Sequence, residues 1–384
     1  MSSSFWSCRS GSTTDRTRRA LRLENIRIAN FRNHSLLEFE PGPSITVIHG
    51  RNGTGKTSLL EAVHFCALTR GFSGNADREC LAFGSDHFSI KARFVSDRNS
   101  TTEVRVLYTS EKEKQIFVNE QEITSFSRHI GTIPCVTFTP PELSIVTGSP
   151  SERRKFIDSA ICQHDRRYMA DLIQYRRVLQ QRNALLAGGM DHSSGLEGLE
   201  IWTQQLSSLA ASIVLMRRDF ISRFSIMFRE IYSWFPDGQE PSIEYHCSLG
   251  DNHSGETGTE ELSSLFNERY RQLRKQEIHR GQTLAGPHRD DLRFFNDGHE
   301  IRKFSSQGQQ RGYLVAMKLT LNRYLFELLG ERPVTLLDDL YSELDGEVEE
   351  MITGSLASCG QVLITSTEMK SGKGVIPFSI ERNI

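Results

Sequence analysis

Gly50-Arg51-Asn52-Gly53-Thr54-Gly55-Lys56-Thr57 gathers three glycines, a lysine and two hydroxyls into one short stretch. Glycines let the backbone curl so that successive N–H groups point at one anion, the β-phosphate of a nucleotide. Lys56 then reaches the β- and γ-phosphates, and Thr57 offers its hydroxyl to a magnesium ion. Ser58 follows at the same helix start, whose positive end adds to the anion seat. An apolar run, Ile45 to Ile48, precedes the loop, and Leu59, Leu60, Val63 and Ala67 follow at helical spacing. Strand, glycine-rich turn and helix in that order are the context a phosphate-binding P-loop requires, which an ordinary turn does not. The expected ligands are a nucleoside triphosphate and Mg2+, with Gly50, Arg51, Asn52, Gly53, Thr54, Gly55, Lys56, Thr57 and Ser58 around the nucleotide.

Two further groups of residues fit the same chemistry. Val334-Thr335-Leu336-Leu337-Asp338-Asp339 is an apolar strand ending in two carboxylates. In a P-loop ATPase such a strand lies beside the P-loop strand; Asp338 holds magnesium, directly or through water, and Asp339 orients or deprotonates the attacking water. A surface Asp-Asp turn is the alternative, but this strand is too apolar for a surface edge. Lys56 and Asp339 are therefore the candidate catalytic residues, and Thr57 and Asp338 the candidate metal ligands. Ser305-Ser306-Gln307-Gly308-Gln309-Gln310-Arg311 directly precedes a strong helix, Tyr313 to Leu329. A small-residue turn at a helix N-terminus is either a capping loop or a second anion-binding device.

These residues need elements to position them. Leu23, Ile26, Ile28 and Phe31, then Leu37 and Phe39, predict a hairpin-like pair of strands before the P-loop strand. Arg32, in the turn between them, is either solvated or a nucleotide contact. His87 to Phe94, Val104 to Tyr108 and Gln115 to Val118 alternate as an antiparallel sheet does. After Pro134 to Gly148, Ser149 or Ser151 caps a helix. From there the pattern is helical over Arg153 to Leu186, Leu196 to Trp234 and Glu260 to Gln276, with breaks at Gly188 to Gly195 and Gly250 to Gly258. Arg153, Arg154, Arg166, Arg167, Arg176 and Arg177 make its start basic, which a solvated helix face also explains. Strand character returns after Arg280, with the polar turn Gly286-Pro287-His288-Arg289-Asp290-Asp291 and a last strand, Gln361 to Ile364, ending in Thr365-Ser366-Thr367.

The expected fold is α/β: a P-loop head over 21–148 and 281–384, carrying an antiparallel β subdomain, with a helical arm inserted at 149–280. Residues 1–20 lack an apolar segment and read as a disordered extension, or as an arm touching DNA. A formal charge of −2 gives no global attraction to nucleic acid, so DNA binding requires a local or nucleotide-controlled surface. Seven scattered cysteines without a Cys-x-x-Cys pair argue against zinc and for a reducing cytoplasm. No apolar run approaches the roughly 20 residues that span a bilayer, so no membrane partner is expected.

In this order the motifs resemble an ATP-binding-cassette ATPase, and in detail the RecF family of bacterial DNA-repair proteins. The resemblance rests on Asn30-Phe31-Arg32, the P-loop, Gly148-Ser149-Pro150 with Arg153-Arg154 and Asp158, and Gly286 to Asp291. It continues through Ser306 to Arg311 and Leu337-Asp338-Asp339 with Ser342-Glu343-Leu344-Asp345. It implies a head that dimerises around two ATP molecules, with Ser306, Gly308 and Gln309 of one subunit closing on the γ-phosphate held by Lys56 of the other. It further implies binding to single-stranded and gapped duplex DNA, work with RecO and RecR, and loading of the RecA recombinase.

Three features depart from the wider cassette pattern. No glutamine lies between Gln121 and Gln163, no histidine follows His299, and the second strand-end acid is Asp339 rather than a glutamate. Thr365 or Thr367 stands in for the histidine. Slow hydrolysis is the expectation; the alternative is a nucleotide-gated scaffold that rarely hydrolyses. A transporter subunit would need the missing sensors, and a long coiled-coil ATPase would need a longer insertion with sustained heptads.

Overall fold

The structure is a computed structural model and describes residues 20–72, 76–98, 100–111, 113–188, 193–235, 239–250, 258–340, 346–368 and 375–381. The predicted N-terminal extension apart from Ala20, the Ser342 to Asp345 segment, half of the first predicted break in the arm and most of the second lie outside the described residues.

Among the described residues the chain runs β1 (Leu21–Phe31), β2 (His34–Phe39), β3 (Ile45–His49), α1 (Lys56–Leu68), β4 (His87–Ser96), β5 (Thr101–Thr109), β6 (Glu113–Val118), β7 (Gln121–Glu122) and β8 (Cys135–Phe138). Helices α2 (Ser144–Thr147), α3 (Pro150–Cys162), α4 (Arg166–Ala187) and α5 (Ser193–Tyr232) follow, then β9 (Pro241–His246) and α6 (Thr259–Arg280). The last part holds β10 (Asp291–Asn296), β11 (His299–Glu300), α7 (Ile301–Phe304), α8 (Gln307–Leu329), β12 (Val334–Leu337), α9 (Gly346–Leu356), β13 (Val362–Ser366) and β14 (Val375–Ser379).

A five-stranded sheet, β14-β3-β13-β12-β8, is parallel at every pairing. Side chains alternate across it, as the two-residue strand period requires. Ile45, Val47, Val136, Phe138, Leu337, Val362 and Ile364 enter one core together with α3 to α6 and α8. Ile48, Cys135, Val334, Leu336 and Leu363 enter a second, with α1 and the antiparallel sheet β2-β1-β4-β5-β6-β7. Burial on both faces explains why these strands read as continuous apolar runs. One expectation is corrected here: β12 is not beside the P-loop strand, because β13 is hydrogen-bonded between them.

The inserted region differs from its sequence pattern in two places. Arg153 to Leu186 is two helices, broken at Gln163 to Asp165, where the Asp165 carboxylate accepts the Tyr168 N–H at 2.9 Å and caps α4. Periodicity predicts no strand between Leu196 and Gln276, yet β9 pairs antiparallel with β10 along its whole length. Six residues beginning with proline are too few for alternation to stand out; the partner strand creates the element.

Buried ion pairs fix how the helices meet. Arg182 donates to Glu277 at 2.7 Å, to Thr203 at 3.0 Å and to Thr283 at 2.8 Å, tying α4, α5 and α6. Arg217 of α5 donates to Asp158 of α3 at 2.8 Å and to the Pro287 carbonyl at 2.8 Å. The basic start of the arm is only partly a solvated face: Arg153 forks onto Asp291 at 2.8 and 3.0 Å, and Arg154 donates to the Asp290 carbonyl at 2.7 Å. The six described cysteines are buried free thiols, each pushed up by burial and so kept protonated. Among the described residues, no helix is long and apolar enough to cross a membrane.

Buried histidines make the fold acid-sensitive. His64 donates through Nδ1 to the Arg70 carbonyl, and burial pushes its pKa down to about 3. His288 accepts from the Tyr175 hydroxyl and donates to the Thr283 carbonyl, and burial pushes it down to about 4. The unfolded chain takes up these protons near 6.5, so their stabilisation is intact above that pH and is lost as pH falls below it. Each should cost about 1 kcal/mol between pH 7 and 5.5. Urea unfolding at the two pH values should show a loss smaller by about that amount in His64→Gln; an unchanged difference would refute the assignment.

Candidate nucleotide site

The P-loop joins the C-terminal end of β3 to α1, and the carboxylates follow β12, so both reach the same edge of the parallel sheet. That edge is where open α/β sheets bind ligands. Asn33, Asn52, Gly53, Gly55, Lys56, Thr57, Ser58, Pro140, Asp338, Asp339, Thr365 and Thr367 line one pocket of about 290 Å³.

Within it the polar groups hold each other. Lys56 Nζ donates to the Gly50 and Arg51 carbonyls at 2.7 and 2.9 Å, inside the curl of the loop. Burial pulls its pKa down, opposed by Asp339 and Asp338. Thr54 closes the turn by donating to the Arg51 carbonyl at 3.0 Å. Thr57 Oγ1 donates to Asp338 Oδ1 at 2.8 Å, and Thr365 Oγ1 donates to the same oxygen at 2.8 Å. Burial pushes the Asp338 pKa up, while these two hydroxyls favour its charged form. A threonine hydroxyl and a carboxylate are hard oxygen donors of the kind magnesium takes, so the residues fit that ion.

Asp339 has a left-handed backbone, φ 50°, unusual for a residue other than glycine but tolerated by aspartate. Its N–H donates to Thr365 Oγ1 at 2.9 Å, and the residue is exposed at the pocket. Thr365 thus bridges both acids, which is possible because β13 lies between β3 and β12. Pro140 lines the pocket just after β8, in the region where the cassette pattern has its loop glutamine.

Other predicted residues stand elsewhere. Arg32 is absent from the pocket lining; its guanidinium forks onto Glu61 at 2.8 and 3.0 Å and donates to the Glu79 carbonyl at 2.9 Å. Its neighbour Asn33 takes the place at the rim, a residue the sequence offered no reason to prefer. Ser306, Gly308 and Gln309 do not line this pocket either. Ser306 caps α8 reciprocally with Gln309: its hydroxyl oxygen accepts the Gln309 N–H at 3.3 Å, and its own N–H donates to Gln309 Oε1 at 3.0 Å. Ser306 and Gly308 are exposed, and a Cβ on Gly308 would meet nothing nearer than Ser306 Oγ at 4.0 Å. Gly286, Pro287 and Asp290 are buried while Arg289 is exposed; Asp290 accepts from the Tyr245 hydroxyl and the Ser248 N–H.

Thr365→Val removes two hydrogen bonds and leaves the buried Asp338 with one partner fewer. It should destabilise the nucleotide-free protein by about 1–3 kcal/mol in urea unfolding, while the exposed Thr367→Val changes it by less than about 0.5 kcal/mol. Equal effects would mean that Thr365 does not hold the acids.

Comparison with known proteins identifies the family. A family model described as an AAA domain matches residues 25–219. The chain is 56% identical over 361 residues to the DNA replication and repair protein RecF of Chlorobaculum tepidum, covering 94% of this chain and 98% of that one. It is 48% identical to the RecF of Chlorobium phaeobacteroides, over 94% of this chain and 99% of the relative. The solved structure of a recombination mediator protein RecF with ATP, of the RecFOR pathway, superposes with a TM-score of 0.88 at 29% identity, covering 95% of this chain and 97% of that one. An Smc head domain from Pyrococcus furiosus shares the fold alone, with a TM-score of 0.51 at 15% identity, over 91% of this chain and 90% of that one. Similarity at this level over nearly the whole length settles the kinship: the chain belongs to the RecF family.

Proposed function

We propose that this protein is an ATP-dependent DNA-binding protein of recombinational repair and replication, in which ATP joins two copies into a clamp on gapped or single-strand–double-strand junction DNA. The observation that carries the proposal is a divided site. Lys56, Thr57, Asp338, Asp339 and Thr365 converge on one pocket, while Ser306 to Gly308 are exposed and outside it. Gly308 has no steric need of glycine within its own chain, and glycine weakens a helix, so an approach from outside explains it best. Ser306 spends an oxygen lone pair on its cap and keeps its O–H to donate to a phosphate oxygen. RecF relatives solved with ATP support the choice of nucleotide.

In this mechanism the P-loop N–H groups and Lys56 bind the β- and γ-phosphates. Thr57 and Asp338 would hold a magnesium ion, which when bound offsets charge on the phosphate oxygens. Asp339 orients the water that attacks the γ-phosphorus and accepts its proton, giving ADP and inorganic phosphate. Loss of the γ-phosphate removes the bridge between subunits and releases the clamp, a two-state element biased by ligand. The clamp would act in the cytoplasm with RecO and RecR to load the RecA recombinase. The head over 21–148 and 281–384 and the arm over 149–280 remain the proposed division, with β9 and β10 pairing across it.

Pro140 and Thr365, in place of glutamine and histidine sensors, support slow hydrolysis; the limiting case is a scaffold that binds ATP and rarely hydrolyses it. Single-turnover ADP formation separates the two. A dimer that assembles with ATP but forms no ADP over many hours would favour the scaffold.

Solution mass with ATP and Mg2+ tests the clamp. Asp339→Asn, which keeps the left-handed backbone accessible and blocks proton transfer, should give a persistent dimer that retains gapped duplex DNA. Adding Ser306→Arg should return it to a monomer with ATP still bound. A monomer under every condition would refute the proposal.

A further inference from the structure

The turn between β1 and β2 lies against the outside of the P-loop and grips it at two points, with a third contact on α1. Asn33 Nδ2 donates to the Gly53 carbonyl at 3.1 Å, and His34 Nε2 donates to the Gly55 carbonyl at 3.0 Å. Arg32 forks onto Glu61, further along α1. Glu61 and His34 are buried at 4% and 5% exposure, so these anchors are shielded from competing water. The turn itself is constrained, with Asn30 and Arg32 in the left-handed region at φ 54° and 56°.

The consequence for the loop follows from peptide geometry. The Gly55 carbonyl accepts both His34 and the first helical N–H, from Leu59 at 2.9 Å. In a trans peptide the N–H points opposite the carbonyl, so Lys56 N–H is turned away from His34, toward the phosphate seat. Gly55 is required twice: its φ is 101°, and a Cβ there would lie 2.4 Å from the His34 ring. A glycine-rich loop without such anchors would be ordered only at the expense of binding free energy.

We propose that Arg32, Asn33 and His34 form a brace that pre-sets the P-loop, with Asn33 and His34 as positioning residues for nucleotide capture. Arg32 then acts through Glu61 and not on the nucleotide. The proposal rests on ATP being the ligand of the pocket.

Calorimetric titration with ATP and Mg2+ tests it on the full chain. His34→Phe keeps a ring against Gly55 but removes the donor, and should weaken ATP binding roughly five- to tenfold, the worth of one hydrogen bond. His34→Gln, which restores an ε-position donor, should stay within about threefold of the parent. Wild-type affinity in His34→Phe would overturn the brace, as would equal loss in both variants, which would point to ring packing. Should His34→Phe not fold, the exposed Asn33→Ala carries the test, with a loss of about threefold or more expected and no loss overturning it. Lys56→Ala is the control: if the parent protein itself binds no ATP, the functional reading fails; if the parent binds, Lys56→Ala does not and the turn variants bind normally, only the brace fails.

Discussion

Asp338 is the constraint on which the rest of the site depends. Its carboxylate is buried at the end of a strand covered on both faces, where an unsolvated charge is costly. Two hydroxyls offset that cost, Thr57 from the P-loop helix and Thr365 from the end of β13. Three segments far apart in the chain must therefore meet for that cost to be offset. The same contacts leave a hydroxyl and a carboxylate side by side, the donor set a phosphate-bound magnesium ion uses.

The parallel sheet makes that meeting possible because it serves two cores at once. One face packs against α1 and the antiparallel sheet, which also supplies the turn that grips the P-loop. The other packs against the helices of the insertion. Between the sheet edge and the insertion, Glu142 accepts from the Thr139 N–H at 2.9 Å and from Lys318 of α8 at 2.6 Å. The segment bearing Pro140 is thereby tied to α8, the helix capped by Ser306. Buried pairs of this kind contribute less to net stability than to geometry, since their removal one partner at a time leaves an uncompensated charge.

Much of the site was legible because it is local. A P-loop is a contiguous stretch whose strand, turn and helix signals lie within one window, and the Leu337-Asp338-Asp339 strand end is nearly as compact. The antiparallel strands β4 and β5 were legible for the same reason, each alternating within a span of nine or ten residues. What escaped notice lacked a local signal. β9 is short and exists through β10; β13 enters between β3 and β12 without any mark in its own residues. Arg32 belongs to a nucleotide-linked motif, yet Glu61, half of α1 away, takes its guanidinium.

The sequence by itself marked the groups that could do chemistry: a glycine-rich loop with a lysine, a pair of carboxylates, a small-residue turn at a helix start, and the order in which they occur. It also determined the kinship, since the likeness to RecF relatives runs along nearly the whole chain. Tertiary structure alone decided the partners of each charged group. Whether an arginine is solvated, buried against an aspartate like Arg153, or turned from ligand to brace like Arg32 depends on which distant carboxylate the fold delivers to it. Side-chain type sets what a group can bond, but long-range packing sets what it meets, and that information is not written in neighbouring residues.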